Sequence, residues 1–236
     1  MDIDHLDITN DFKDYLRDFD APPTGFPVAQ EDISSLEGRF HEDLIGYFRG
    51  FGRSTLRDGL LQTCLPYDMR SILALVFKAD DDFNHNDYSC FAYTAFGKLY
   101  GWHMRYGVVS IDLVSGEVTA RGLKKFNDGE DISGQQHQYK GPFDETLEDL
   151  NNVYDEDGDK IFDRCVAKYG PVGIGECFGF FPAIALGGAT NVENVRKVRA
   201  LEHFTLLAQM QSFKWVHIET DFDAGRLEKS IIREVG

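Results

Sequence analysis

Basic residues are scarce in this chain: 24 Lys and Arg stand against 40 Asp and Glu in 236 residues, a formal net charge of −16 at pH 7. A surface of that sign repels a phosphate backbone, which argues against nucleic acid as a general partner. Cysteine is also sparse. Cys64, Cys90, Cys165 and Cys177 stand far apart with no C-x-x-C pair, so buried reduced thiols are expected rather than a zinc site or a disulfide framework. Long apolar runs are missing too. The most apolar stretch, Phe178 to Ala189, is short and broken by Pro182, and the opening MDIDHLDITNDF carries acids where a secretory signal needs a basic region and an apolar core. The expectation is a soluble cytoplasmic protein.

Nucleotide and catalytic signatures are missing in the same way. The Gly97-Lys98 pair has Ala92 where a phosphate loop needs its first glycine and Leu99 where it needs a hydroxyl. Gly173-Ile-Gly175 begins like a dinucleotide fingerprint, yet Phe178 takes the third glycine position and a helix stop precedes it. Asp155-Glu-Asp157-Gly-Asp159 alternates oxygens like a calcium loop, but counting from Asp155 puts Lys160 at the turn glycine and Val166 at the bidentate glutamate. No G-x-S-x-G or H-E-x-x-H occurs, and Glu202-His203, the best acid/base pair on paper, sits on adjacent helix positions about 100° apart. No catalytic residue, cofactor or metal is expected.

What the chain has in quantity is apolar and aromatic residues, 42% and 13%, enough for a packed core. PPTGFP at 22–27 marks a turn. Leu36, Phe40, Leu44, Ile45 and Phe48 recur at helical spacing and predict a helix over about 39–50, closed by Gly50 or Gly52. ILALVF at 72–77, SCFAYTAF at 89–96 and the alternating Val109, Ile111 and Leu113 read as strands of an antiparallel meander, with a hairpin at Ser115-Gly116 and the sheet ending near Gly122. Residues 123–142 read as a linker or long loop. The segment 143–163 holds nine acids and one lysine, half of the whole net charge. A helix over about 159–169, stopped by Gly170-Pro171, follows.

The stretch GFFPAIALGGATNVENVRKV, 179–198, raises the question of whether Gly187 and Gly188 cradle a phosphate. Thr190 and Glu193 have capping-box spacing, which accounts for the loop without a ligand and predicts a helix from there to about 210. Its apolar residues fall at a strict step of three, so the stripe winds around the helix. FKWVHIE, 213–219, reads as a last strand.

PPTGFPV at 22–28, FHEDLIGYFRGFG at 40–52, FAYTAFGKLYGWH at 91–103 and MRYGVVSIDLVSGEV at 104–118 resemble the GAD-like domain. IFDRCVAKYGPVGIGECFGFFPAIALGG at 161–188 and VENVRKVRALEHFTLLAQM at 192–210 resemble the C-terminal domain that accompanies it in immunity proteins against type VI secretion DNase effectors. The resemblance implies an α+β fold similar to the SUKH immunity group: an antiparallel β-meander with flanking helices, then a mainly helical C-terminal region ending in a short strand. It implies residues 1–122 as a GAD-like domain, 123–142 as linker, and 143–236 as an immunity-type domain packed on the first. It also implies a non-enzymatic task, binding a cognate toxin, with an interaction module for another toxin or a host partner as the alternative. The acidic charge fits that task, since a DNase presents a basic surface to DNA. Asp80, Asp81, Asp82 and Asp87, placed in the loop after the first strand, and Asp155, Glu156, Asp157 and Asp159 are the candidate partner-binding residues.

Overall fold

A computed structural model describes residues 3–4, 6–17, 24–133, 150, 153–221 and 226–236. Helices α1 (Asn10–Arg17), α2 (Gln30–Leu36) and α3 (Glu42–Phe51) open the chain, with the short strand β1 (Thr24–Phe26) between the first two. His41 caps α3 by accepting the Asp43 N–H at Nδ1, 3.3 Å away, and Gly52 closes it at φ 65°. This is the helix expected over 39–50. Asp43, buried in its first turn, accepts the N–H and hydroxyl of Thr9 at 2.7 and 2.8 Å, which fastens the N-terminal segment to α3.

The meander expected from the alternating apolar residues is present. β2 (Arg53–Leu56), β3 (Leu61–Thr63), β4 (Ser89–Thr94), β5 (Lys98–His103), β6 (Gly107–Asp112) and β7 (Glu117–Thr119) pair antiparallel, each with the next. Gly116, at φ 70°, completes the β6–β7 hairpin, where Asp112 accepts the N–H groups of Val114 and Ser115.

The run ILALVF is not a strand. It lies in helix α4 (Arg70–Phe77), whose buried residues Ile72, Leu73, Val76 and Phe77 form one helical face. Four to six consecutive apolar residues carry no period that separates helix from strand, so only packing decides. The loop with Asp80 to Asp87 therefore follows a helix. Residues 123–127, the first part of the stretch read as linker, belong to helix α5 (Arg121–Asn127); residues 134–142 lie outside the described residues, as do 143–149, 151 and 152 of the acidic segment.

Helix α6 (Phe162–Tyr169) stops at Gly170, φ 81°, as its sequence indicates. The long helix expected from Thr190 is instead three elements. Asn191, not Thr190, caps a single 3₁₀ turn by accepting the Asn194 N–H at 3.0 Å. Strand β9 (Val195–Arg199) then pairs antiparallel with β8 (Glu176–Phe180), and only Ala200–Met210 is helical, as α7. A strict step of three suits no single helix face, and the β8 partner claims the first part of the run. Gly188 lets the loop close: a Cβ there would lie 2.0 Å from the Pro182 carbonyl oxygen, which gives the glycine pair a backbone reason.

The strand expected at 213–219 is longer than its sequence pattern suggests, and it is not the last. β10 (Phe213–Asp221) pairs antiparallel with β11 (Arg226–Val235) and parallel with β7 through Lys214 and Trp215. The nine-stranded sheet thus runs β1-β2-β3-β4-β5-β6-β7-β10-β11, antiparallel everywhere except at β7–β10, with β8–β9 as a separate ribbon. The class is α+β, as expected. Both faces are covered. One core joins α1, α2, α3 and α6 with Phe91, Tyr100 and Trp102; the other joins α4 and α7 with Tyr93, Leu99, Val109, Ile111 and Trp215. Strand β4, between them, is buried along its whole length.

Candidate functional site

The eight candidate acids divide by what they touch. The Asp80 carboxylate, 4% exposed, accepts the N–H groups of Asp82, Phe83 and Gly236 at 2.9, 3.1 and 3.0 Å and both terminal nitrogens of Arg233 at 2.6 and 2.8 Å. Asp82 takes a further Arg233 bond at 2.6 Å. Arg233 lies over the rings of Trp215 and Phe83, so the loop after α4 is tied to β11 by a bidentate, aromatic-backed ion pair. Asp81 and Asp87 face solvent.

The second cluster repeats this division. Asp155 Oδ1 accepts the N–H groups of Asp157 and Asp159 at 3.1 and 2.9 Å, and Oδ2 pairs with Arg164. The Arg164 guanidinium and those N–H groups hold its carboxyl below the ordinary range. Glu156, Asp157 and Asp159 stay exposed on the small turn that the Tyr154–Lys160 bridge closes. Among the described residues no three His, Cys, Asp or Glu side chains gather where they could hold a metal ion.

A surface that the sequence pattern does not reveal lies around Tyr67, which is 55% exposed. Its hydroxyl accepts a hydrogen bond from Arg53 at 2.8 Å, and Arg53 also pairs with Asp68 at 2.7 Å, while Asp68 caps the preceding turn by accepting the Leu65 N–H. On one side of Tyr67 is a cleft of about 170 Å³ that includes Ser35, Arg39, Arg70, His85 and Asn86 in its lining. On the other is a cleft of about 300 Å³ walled by Met69, Tyr93, Ile174 and Leu201. Arg39 comes from the turn after α2, Arg70 from the start of α4 and His85 from the loop before β4. Their separation along the chain hides the grouping from any motif. Two exposed arginines and a half-buried histidine in an acidic protein are the one available signal, and it needs the fold to be seen.

The Glu202-His203 pair does not converge. Glu202 is exposed, whereas His203 is buried against Gly179 and the Phe181 ring, and burial lowers its pKa. The aromatic run of 91–106 supplies core: Phe91, Tyr93, Phe96, Tyr100 and Trp102 are all buried.

Residues 10–115 match the GAD-like domain and residues 138–211 match the family described as T6SS immunity protein Tdi1, C-terminal. Among curated proteins none matches the chain. The crystal structure of Atu4351 from Agrobacterium tumefaciens is similar throughout, with 26% identity over 95% of this chain and 98% of that one and a TM-score of 0.81. No described helix is long and apolar enough to cross a membrane. The two family matches agree with the resemblance read from the sequence, in the same order along the chain. A match to the GAD-like domain followed by a match to a family described as a type VI secretion immunity protein supports a type VI secretion immunity role.

Proposed function

We propose that this is a non-enzymatic immunity protein that binds a cognate type VI secretion toxin, a DNase, in the cytoplasm and neutralises it by covering its DNA-binding or active surface. The observation that carries the reading is the match to the Tdi1 immunity family in a chain of net charge −16. A DNA-cutting enzyme presents positive charge to phosphates, and a strongly negative inhibitor is drawn to that surface at an enhanced rate. Asp81 and Asp87 in the loop after α4, with Glu156, Asp157 and Asp159 in the turn before α6, supply exposed carboxylates. Asp80, Asp82 and Asp155 hold those two segments in shape through Arg233 and Arg164.

Co-expression with the cognate toxin is expected to keep plasmid DNA intact and to yield a stable complex on a sizing column. Reversing Asp81, Asp87, Glu156, Asp157 and Asp159 to lysine is expected to weaken the complex about tenfold to a hundredfold at low salt and to flatten its salt dependence. An unchanged affinity and salt slope would remove these residues from the interface. Degraded DNA with no complex would overturn the immunity reading itself.

A further inference from the structure

The cleft beside Tyr67 is lined by basic and no acidic side chains in a protein whose net charge is −16. Arg39 and Arg70 are exposed, and neither is in an ion pair among the described residues; Arg70 donates only to the Asn86 amide oxygen at 3.0 Å. His85 adds a third nitrogen donor, and no carboxylate lines the cleft. Two acids lie nearby: Asp68 is occupied by Arg53 and the Leu65 N–H, and Asp32 interacts with the Tyr67 hydroxyl. A larger cleft of about 540 Å³ between α5 and β10 differs in this respect: Arg121, Lys124 and Lys125 there face Asp128, Glu130 and Glu219, so its bases and acids balance. Guanidinium groups that share one cleft and are in no ion pair suit a planar oxyanion that can accept two parallel hydrogen bonds.

Size and surroundings narrow the occupant. A volume of about 170 Å³ is below the roughly 300–1,000 Å³ of small-molecule sites and suits one acidic side chain. Tyr67 at the rim and Arg53 behind it are the residue types that dominate the centres of protein interfaces, and the adjoining cleft of Met69, Ile174 and Leu201 offers apolar surface next to them.

We infer that the Arg39–Arg70–His85 cleft is a docking socket for a single aspartate or glutamate side chain of the toxin. This rests on the immunity reading above. A positive cleft in an acidic protein helps to fix the register of the complex, because an acid of the toxin is favoured where these arginines lie. Both arginines are exposed, so replacing them leaves the cores intact.

Titration calorimetry of the full chain with the toxin, alongside thermal melts of each variant, tests the socket. The wild type is expected to bind, Arg39→Ala/Arg70→Ala to bind about a hundredfold more weakly, and Arg39→Lys/Arg70→Lys to recover part of the loss through charge without the bidentate fork. Tyr67→Ala is expected to weaken binding about tenfold. Failure of the wild type to bind would overturn the immunity reading and the socket with it. Wild-type binding with an unchanged affinity in the double alanine variant would overturn the socket alone. Inorganic phosphate, titrated as a probe, separates the remaining source: phosphate bound by the wild type and lost in the double variant, with toxin affinity unaltered, would reassign the cleft to a free anion.

Discussion

The Asp80 carboxylate holds the end of the chain to its middle through five hydrogen bonds, two of them from Arg233 and one from the Gly236 N–H. Burial alone would raise its pKa, but the guanidinium and the three N–H donors outweigh it and leave the carboxyl far below the ordinary range. A group with a depressed folded pKa stabilises the protein fully above its unfolded value, about 3.9, and loses that contribution as pH falls through the folded one. Asp80→Ala is therefore expected to lower stability by about 2–3 kcal/mol near neutral pH. The gap between variant and wild type should narrow as urea unfolding curves are repeated below about pH 4. A gap constant with pH would show that the ion pair is not its source. As a sequence feature Asp80 is one of three consecutive aspartates. Nothing in that run separates the paired residues, Asp80 and Asp82, from the exposed Asp81, because Arg233 lies more than 150 positions away.

Among the elements, punctuation was the most legible signal and apolar runs the least. Gly52 ends α3 and starts β2 at φ 65°, and a Cβ there would meet the Phe26 carbonyl oxygen at 2.0 Å. Gly52→Ala thus combines an unfavourable backbone region with a backbone clash and is expected to cost about 3 kcal/mol or more, read as a lowered denaturation midpoint. An effect of a few tenths would mean that the α3–β1 contact is loose. Gly170 and Gly116 act at boundaries that the sequence marks correctly. By contrast, ILALVF becomes a helix because its 72, 73, 76 and 77 positions pack into the core with α7. Residues 195–199 become a strand because Phe178 and its neighbours in β8 offer backbone partners. Local propensity leaves both choices open, and long-range partners close them.

Across the whole molecule, the −16 charge and the buried thiols are consequences of composition that the fold puts in place. All four cysteines are buried and free, and burial pushes the Cys165 thiol up to about 11. A thiol reagent at neutral pH is expected to find no fast-reacting cysteine in the native protein and four after denaturation; rapid reaction of the native protein would show that a core opens readily. The sequence by itself determined the α+β class, the meander from 89 to 119, helices α3 and α6 and the two-part family resemblance, because alternation, helical spacing and glycine stops act over a few residues. Only the tertiary structure decided that β10 joins β7 and carries β11 into the same sheet, which acids are tied to Arg233 and Arg164, and that Arg39, Arg70 and His85 share one cleft. Each of those depends on contacts between distant segments, and distant contacts leave no period or motif in the chain that makes them.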